Sequence, residues 1–123
     1  MVDDGERRAR ALARLAELGD EPGGDEFLAR MGVLGDWIVD FAFGDVHTRP
    51  GLSARDRELI IVAVLAAIGS SDPQVAAHIR ALRAIEVPWN EIEETILQIT
   101  PYAGIPRAVN AMKVLRAEQD AAP

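Results

Sequence analysis

Ser53-Ala54-Arg55-Asp56-Arg57-Glu58-Leu59-Ile60-Ile61-Val62-Ala63-Val64-Leu65-Ala66-Ala67-Ile68 is the stretch whose reading decides the fold. Ser53 with Asp56 three residues on forms a capping box in which Asp replaces the usual Glu, and it opens a helix. The run Leu59 to Leu65 contains β-branched residues, but the cap and the continuation through Ala66-Ala67 favour helix over strand. This helix, predicted to reach about Ile68, is apolar nearly all round, which places it at the centre of the domain or in an oligomer interface. Glu58 enters it within the first turn and a half. There it either complements the helix N-terminal dipole, worth about 0.3–1 kcal/mol, or is partly buried, with its carboxyl pushed up toward the range of a useful general base.

Working outward, Gly44 to Leu52 reads as a loop in which Pro50 and Gly51 force a turn. Before it, Phe27/Leu28, Met31, Leu34, Trp37/Ile38 and Phe41 recur at helical spacing over 25–43, with Gly32 and Gly35 placed to divide the stretch. Glu6 to Leu18 is a helix with Leu12, Leu15 and Leu18 in register and Gly19 as its stop. The Gly/Pro-bearing break Asp20 to Gly24 sets residues 1–24 apart as an N-terminal helical arm, expected to be mobile, from a domain over 25–120. Downstream, Asp72-Pro73 reads as N-cap and first helical position. Pro88 to Asn90 starts another helix, Pro101 is expected to kink or end it near Tyr102, and Ile105-Pro106 opens the last. Alternating β patterns are absent, so the expectation is an all-α domain of about six helices.

Composition narrows the function classes. The chain has 123 residues, 49% of them apolar, and a formal net charge of −7; that is one foldable domain whose balance argues against nucleic acid, since a phosphate-binding surface needs clustered cations. The longest apolar run is too short for a bilayer, which takes about 20 residues, and no cationic-then-apolar signal segment opens the sequence. A cytoplasmic protein with no membrane partner is the expectation. There is no cysteine, so thiol chemistry is excluded.

His78 lies one turn from Val75 and Leu82, beside the apolar face of its helix. It is either a core histidine satisfied by a carbonyl or an imidazole at a pocket wall, able to shuttle a proton near neutrality. With Glu58 it forms the candidate catalytic pair. Arg49 and Arg57, by default surface cations, are candidates to grip a substrate carboxylate. His47, in the predicted loop, and Tyr102, near a helix break, complete the candidate substrate-binding set, although a loop histidine and a packed phenol are the plainer readings. The two histidines lack metal-ligand spacing, so no metal is expected.

The run Phe43-Gly44-Asp45-Val46-His47-Thr48-Arg49-Pro50-Gly51-Leu52-Ser53, with Arg57-Glu58-Leu59, resembles the signature of the carboxymuconolactone decarboxylase family, also called alkyl hydroperoxidase D-like. Ala77-His78-Ile79-Arg80, Glu91-Ile92, Glu94, Leu97-Gln98 and Tyr102-Ala103-Gly104-Ile105-Pro106 agree in order and spacing, so the likeness spans roughly 33–115. The family's redox branch has a Cys-x-x-Cys pair one turn before the histidine; here the stretch is Gly69-Ser70-Ser71-Asp72-Pro73-Gln74, without sulfur. The resemblance therefore implies the non-redox branch, a ring-shaped homo-oligomer (trimer or hexamer) that removes carbon dioxide from a small carboxylated lactone without a cofactor. It assigns His78 the family histidine's place, Glu58 the acidic position, and Arg49 and Arg57 the motif arginines. His47 departs from the aromatic common in decarboxylases, Glu58 is the acid of the redox branch, and the segment before His78 is one residue longer. These departures leave open a non-redox isomerase or cyclase, and a non-catalytic ligand-binding helical oligomer is the alternative from another class.

Overall fold

The computed structural model describes residues 4–123. Its elements are α1 (Asp4–Glu17), α2 (Asp25–Met31), α3 (Val33–Trp37), a π-helix (Ile38–His47), α4 (Ala54–Ile68), α5 (Asp72–Ala84), α6 (Trp89–Ala103) and α7 (Ile105–Ala121), with no strand among the described residues. The all-α expectation holds, but the helices outnumber the six read from periodicity. Gly32, at φ 60°, separates α2 from α3, and the segment read as a loop from Gly44 is helical as far as His47. Its π geometry, with bonds from i to i+5, breaks the 3.6-residue period by which a helix is recognised in sequence.

Local chemistry accounts for the other boundaries. Ser53 Oγ accepts the Asp56 N–H at 3.1 Å, so the cap of α4 forms as read. Asp72 and Pro73 lie in the first turn of α5, one position further in than expected, with Ser71 as the boundary residue. Pro101 sits inside α6 without ending it. Its ring nitrogen cannot donate to the Leu97 carbonyl, yet the helix runs on to Gly104, whose φ of 97° supplies the break.

Helices α4 to α7 enclose the main core, built around Val62, Ile79, Leu82, Ile92, Ile96 and Leu115. A second core joins α1, the π-helix and α5 through Ala11, Leu15, Leu18, Val39, Phe43 and Ala81. Helix α5 is thus shared, with Ile79 and Leu82 facing one core and Ala81 the other. Helix α1, expected as an arm, packs along the π-helix. Its buried register is Ala11, Leu15 and Leu18, while Leu12 is half exposed. Gly44 permits this approach, because a Cβ there would lie 2.8 Å from the Arg7 carbonyl oxygen. Arg8 pairs with Asp36 and Asp40, and Arg7 with Asp45, along the same seam.

Helix α4 is buried on one face only. Glu58, Val62 and Ala66 point inward, whereas Ile60, Val64 and Ile68, at i, i+4 and i+8, are exposed. Trp37 and Phe41 are 63% and 61% exposed, so the chain by itself leaves much apolar surface in water. Among the described residues, no helix is long and apolar enough to cross a membrane.

Candidate active site

Three elements converge on Glu58. The first turns of α4 carry it to a position with 0% exposure. The last turn of the π-helix brings His47, 4% exposed, where its Nε2 lies 2.7 Å from Glu58 Oε2. The middle of α5 brings His78, whose Nδ1 lies 2.7 Å from Glu58 Oε1. One carboxylate therefore bridges two imidazoles, each oxygen taking one ring nitrogen. On the π-helix, Val39, Phe43 and His47 share a buried face, and Phe43 stacks on the His47 ring with centroids 5.1 Å apart.

Burial pushes the Glu58 carboxyl upward, but the hydrogen bonds from His47 and His78, with their favourable electrostatics, outweigh it and hold the group below its ordinary value. This corrects the expectation of a raised carboxyl acting as general base. Glu58 is ionised and accepts on both oxygens. Its two oxygens hold the two rings in place.

The hydrogen-bond network assigns the tautomers. An ionised Glu58 requires N–H donors at His47 Nε2 and His78 Nδ1. Arg14 Nη1 donates to the His47 carbonyl at 2.6 Å and lies 2.9 Å from His47 Nδ1. A guanidinium only donates, so His47 Nδ1 accepts and carries no proton. Both nitrogens of His47 are then occupied. The second nitrogen of His78, Nε2, has no hydrogen-bond partner among the described residues. Among the described residues no buried side-chain nitrogen or oxygen is left unpartnered, so this atom touches solvent. The result is a four-residue chain, Arg14–His47–Glu58–His78, closed at one end and open at the other.

Beside His47 lies a cleft of about 420 Å³, lined by Phe41, Ala42, Val46, His47, Leu52, Arg57, Ile60 and Ile61. Its walls are almost wholly apolar, and Arg57 is the cation on them. Arg57 donates from Nε to the Leu52 carbonyl and from Nη2 to the Arg49 carbonyl. The Arg49–Leu52 turn thus holds the guanidinium in place. His78 does not line this cleft.

The structure brings together three of the six residues singled out from sequence, His78, Glu58 and His47, and sets Arg57 in the adjoining cleft. Arg49 contributes its carbonyl, with its side chain on the exposed turn. Tyr102 is 88% exposed and belongs to neither cluster nor cleft. Arg14 was missed. Its signal was the helical register, since it lies three residues after buried Ala11 and four before buried Leu18. Among the described residues, no three His, Cys, Asp or Glu side chains are grouped as metal ligands would be.

Residues 33–117 match the model of the carboxymuconolactone decarboxylase family. The chain belongs to this family. Over 77 residues it is 40% identical to a 4-carboxymuconolactone decarboxylase of Acinetobacter baylyi, covering 63% of this chain and 57% of that one. Over 87 residues it is 29% identical to an uncharacterised 15.0 kDa protein of Paracoccus denitrificans, covering 68% and 65%. The matches thus span less than two thirds of either relative. His47, Glu58 and His78 all fall inside the family segment, whereas Arg14 precedes it.

Proposed function

We propose that this protein is a cofactor-independent lyase of the decarboxylase type, acting on a small carboxylated lactone or a related enolisable acid. The observation that carries the reading is the ionised, buried Glu58 holding the His78 ring with Nδ1–H inward and Nε2 open. A histidine so held alternates between base and acid at one exposed atom, as in other carboxylate-oriented imidazoles. When the carbon–carboxylate bond breaks, its electron pair passes into the conjugated carbonyl and carbon dioxide leaves. His78 Nε2, having taken a proton from solvent, gives it to carbon and returns to the neutral imidazole, and Glu58 balances the charge while the imidazolium exists. Such acid–base catalysis supplies typically 10²–10⁴-fold. Family membership and the likeness to a 4-carboxymuconolactone decarboxylase support the reaction class; the apolar cleft with Arg57 supports a carboxylated substrate of modest size, because weakly hydrated walls favour loss of carboxylate charge.

The exposed apolar surface of α4, Trp37 and Phe41 supports a homo-oligomer, trimeric or hexameric, as the working form. We place it in the cytoplasm, with itself and its substrate as partners. The test is carbon dioxide release from a panel of carboxylated lactones by purified, metal-free protein, alongside its mass by light scattering. Turnover in a trimer or hexamer supports the proposal. Binding without release of carbon dioxide or isomerised product refutes the lyase and leaves a ligand-binding oligomer. One observation favours that second reading: the cleft ends on His47, which has no free nitrogen, rather than on His78.

A further inference from the structure

The closed end of the relay lies outside the segment shared with the family, on α1. We propose that Arg14 is a positioning residue that seals the His47 end of the chain, so that His78 Nε2 is the only atom through which the relay exchanges protons. The inference concerns the site assigned above to acid–base chemistry and rests on that reading only for its catalytic meaning.

Three observations carry it. Arg14 Nη1 has two hydrogens and two acceptors on the same residue, the His47 carbonyl at 2.6 Å and Nδ1 at 2.9 Å. The grip fixes ring and backbone together. The Arg14 side chain is only 18% exposed, and Glu17 Oε2 lies 3.6 Å from its Nε. Finally, the seam that delivers Arg14 is built for close approach, with Gly44 under the Arg7 carbonyl and Phe43 stacked on the imidazole.

The consequence follows from charge. From α1, Arg14 presents a permanent cation to His47; from α4 come the Glu58 carboxylate and, across the cleft, Arg57; on the π-helix itself, Asp45 is engaged by Arg7. Protonating His47 Nδ1 would set an N–H against a donor that cannot reverse its role. A proton arriving at the Glu58 carboxylate is therefore shared with His78 and not passed on to the far side. Without Arg14, His47 becomes a second imidazolium-forming group on the same carboxylate, and two histidines compete for one counter-charge.

The sequence has two histidines, so ¹⁵N-histidine labelling and two-bond ring correlation spectra report both directly, with His78→Gln assigning the signals. In the unaltered protein, His47 should keep an unprotonated Nδ1 and a protonated Nε2 over about pH 5–8, the range in which free imidazole changes charge. In Arg14→Met that signature should be lost as pH falls, with Nδ1 moving to the protonated type. Arg14→Gln, too short to reach but kinder to folding, should do the same, and Arg14→Lys should restore the bare Nδ1. A residue that merely glues α1 in place would lower the melting temperature without changing these spectra. An unaltered protein that takes up a proton on His47 Nδ1 overturns the proposal, as does a folded Arg14→Met or Arg14→Gln variant whose His47 spectrum is unchanged. No substrate is needed, so this outcome is separate from failure of the lyase assignment, which turnover of His78 variants decides.

Discussion

Glu58→Gln tests the site at its centre, because the substitution keeps the shape and removes only the charge. The new amide has one acceptor and one donor end where the carboxylate had two acceptors. Arg14 holds His47 as an Nε2–H donor, so the amide oxygen must face His47 and the NH₂ must face His78. His78 can satisfy it only by moving its own proton from Nδ1 to Nε2. Two hydrogen bonds to an ionised group, worth about 1.5–3 kcal/mol each, become neutral ones of about 0.5–1.5 kcal/mol. The difference is about 2–3 kcal/mol, offset in part because a buried carboxylate no longer has to be desolvated. A net loss of about 2 kcal/mol corresponds to a drop of roughly 6–10 °C in Tm for a domain of this size, read by circular dichroism. The effect depends on pH with a definite sign. Glu58 is held below its ordinary value of 4.5 in the folded state, so its contribution is fully present above that pH and is lost as pH falls through the lower folded value. The gap between the two proteins should therefore narrow in acid. Turnover should also fall, because the imidazolium form of His78 that gives its proton to carbon has lost the carboxylate that balances its charge. Equal melting temperatures and superimposable pH profiles for the two proteins would refute the bridging carboxylate outright.

Other substitutions separate chemistry from binding and packing. His78→Ala should reduce turnover at least about a hundredfold while leaving the mass in light scattering unchanged; full activity with a much lower Tm would make His78 a core residue instead. Arg57→Ala should chiefly raise KM at nearly constant kcat, and an unchanged KM would show that the substrate carboxylate is held elsewhere. Gly44→Ala places a methyl 2.8 Å from the Arg7 carbonyl oxygen, so it should destabilise by about 1–3 kcal/mol as α1 is pushed off the π-helix; an unchanged denaturant midpoint would mean that α1 is not packed there.

Much of the fold was legible along the chain because its determinants are local. The Ser53 cap, the prolines at 73, 88 and 106, and the apolar registers of α4 to α7 each act within a turn or two of helix, so a linear reading captures them. Two local signals misled. The π-helix hid His47 in what reads as a loop, because its widened coil departs from the 3.6 period. Leu12 was placed in the buried register of α1, but the π-helix meets that helix on the side of Ala11 and Arg14. The site was legible only as residue types. Glu58 and His78 stood out as titratable groups on apolar helices, and the motif order marked the family, but whether they meet was not written in their spacing.

Meeting required packing across long sequence separations. His47 lies 11 residues from Glu58, His78 lies 20 from it, and Arg14 lies 33 from His47. No local rule fixes such contacts; they exist because α5 is shared between two cores and α1 docks against the π-helix. The tertiary structure also decided the charge of Glu58. Burial alone raises a carboxyl, and only the two imidazoles brought by other helices reverse that direction. The sequence by itself determined an all-helical member of its family with an acid, two imidazoles and no thiol. The assembled fold decided which of them is the anion, which ring is hydrogen-bonded at both nitrogens and which nitrogen is left without a partner, because protonation states belong to neighbourhoods and neighbourhoods are made by tertiary packing.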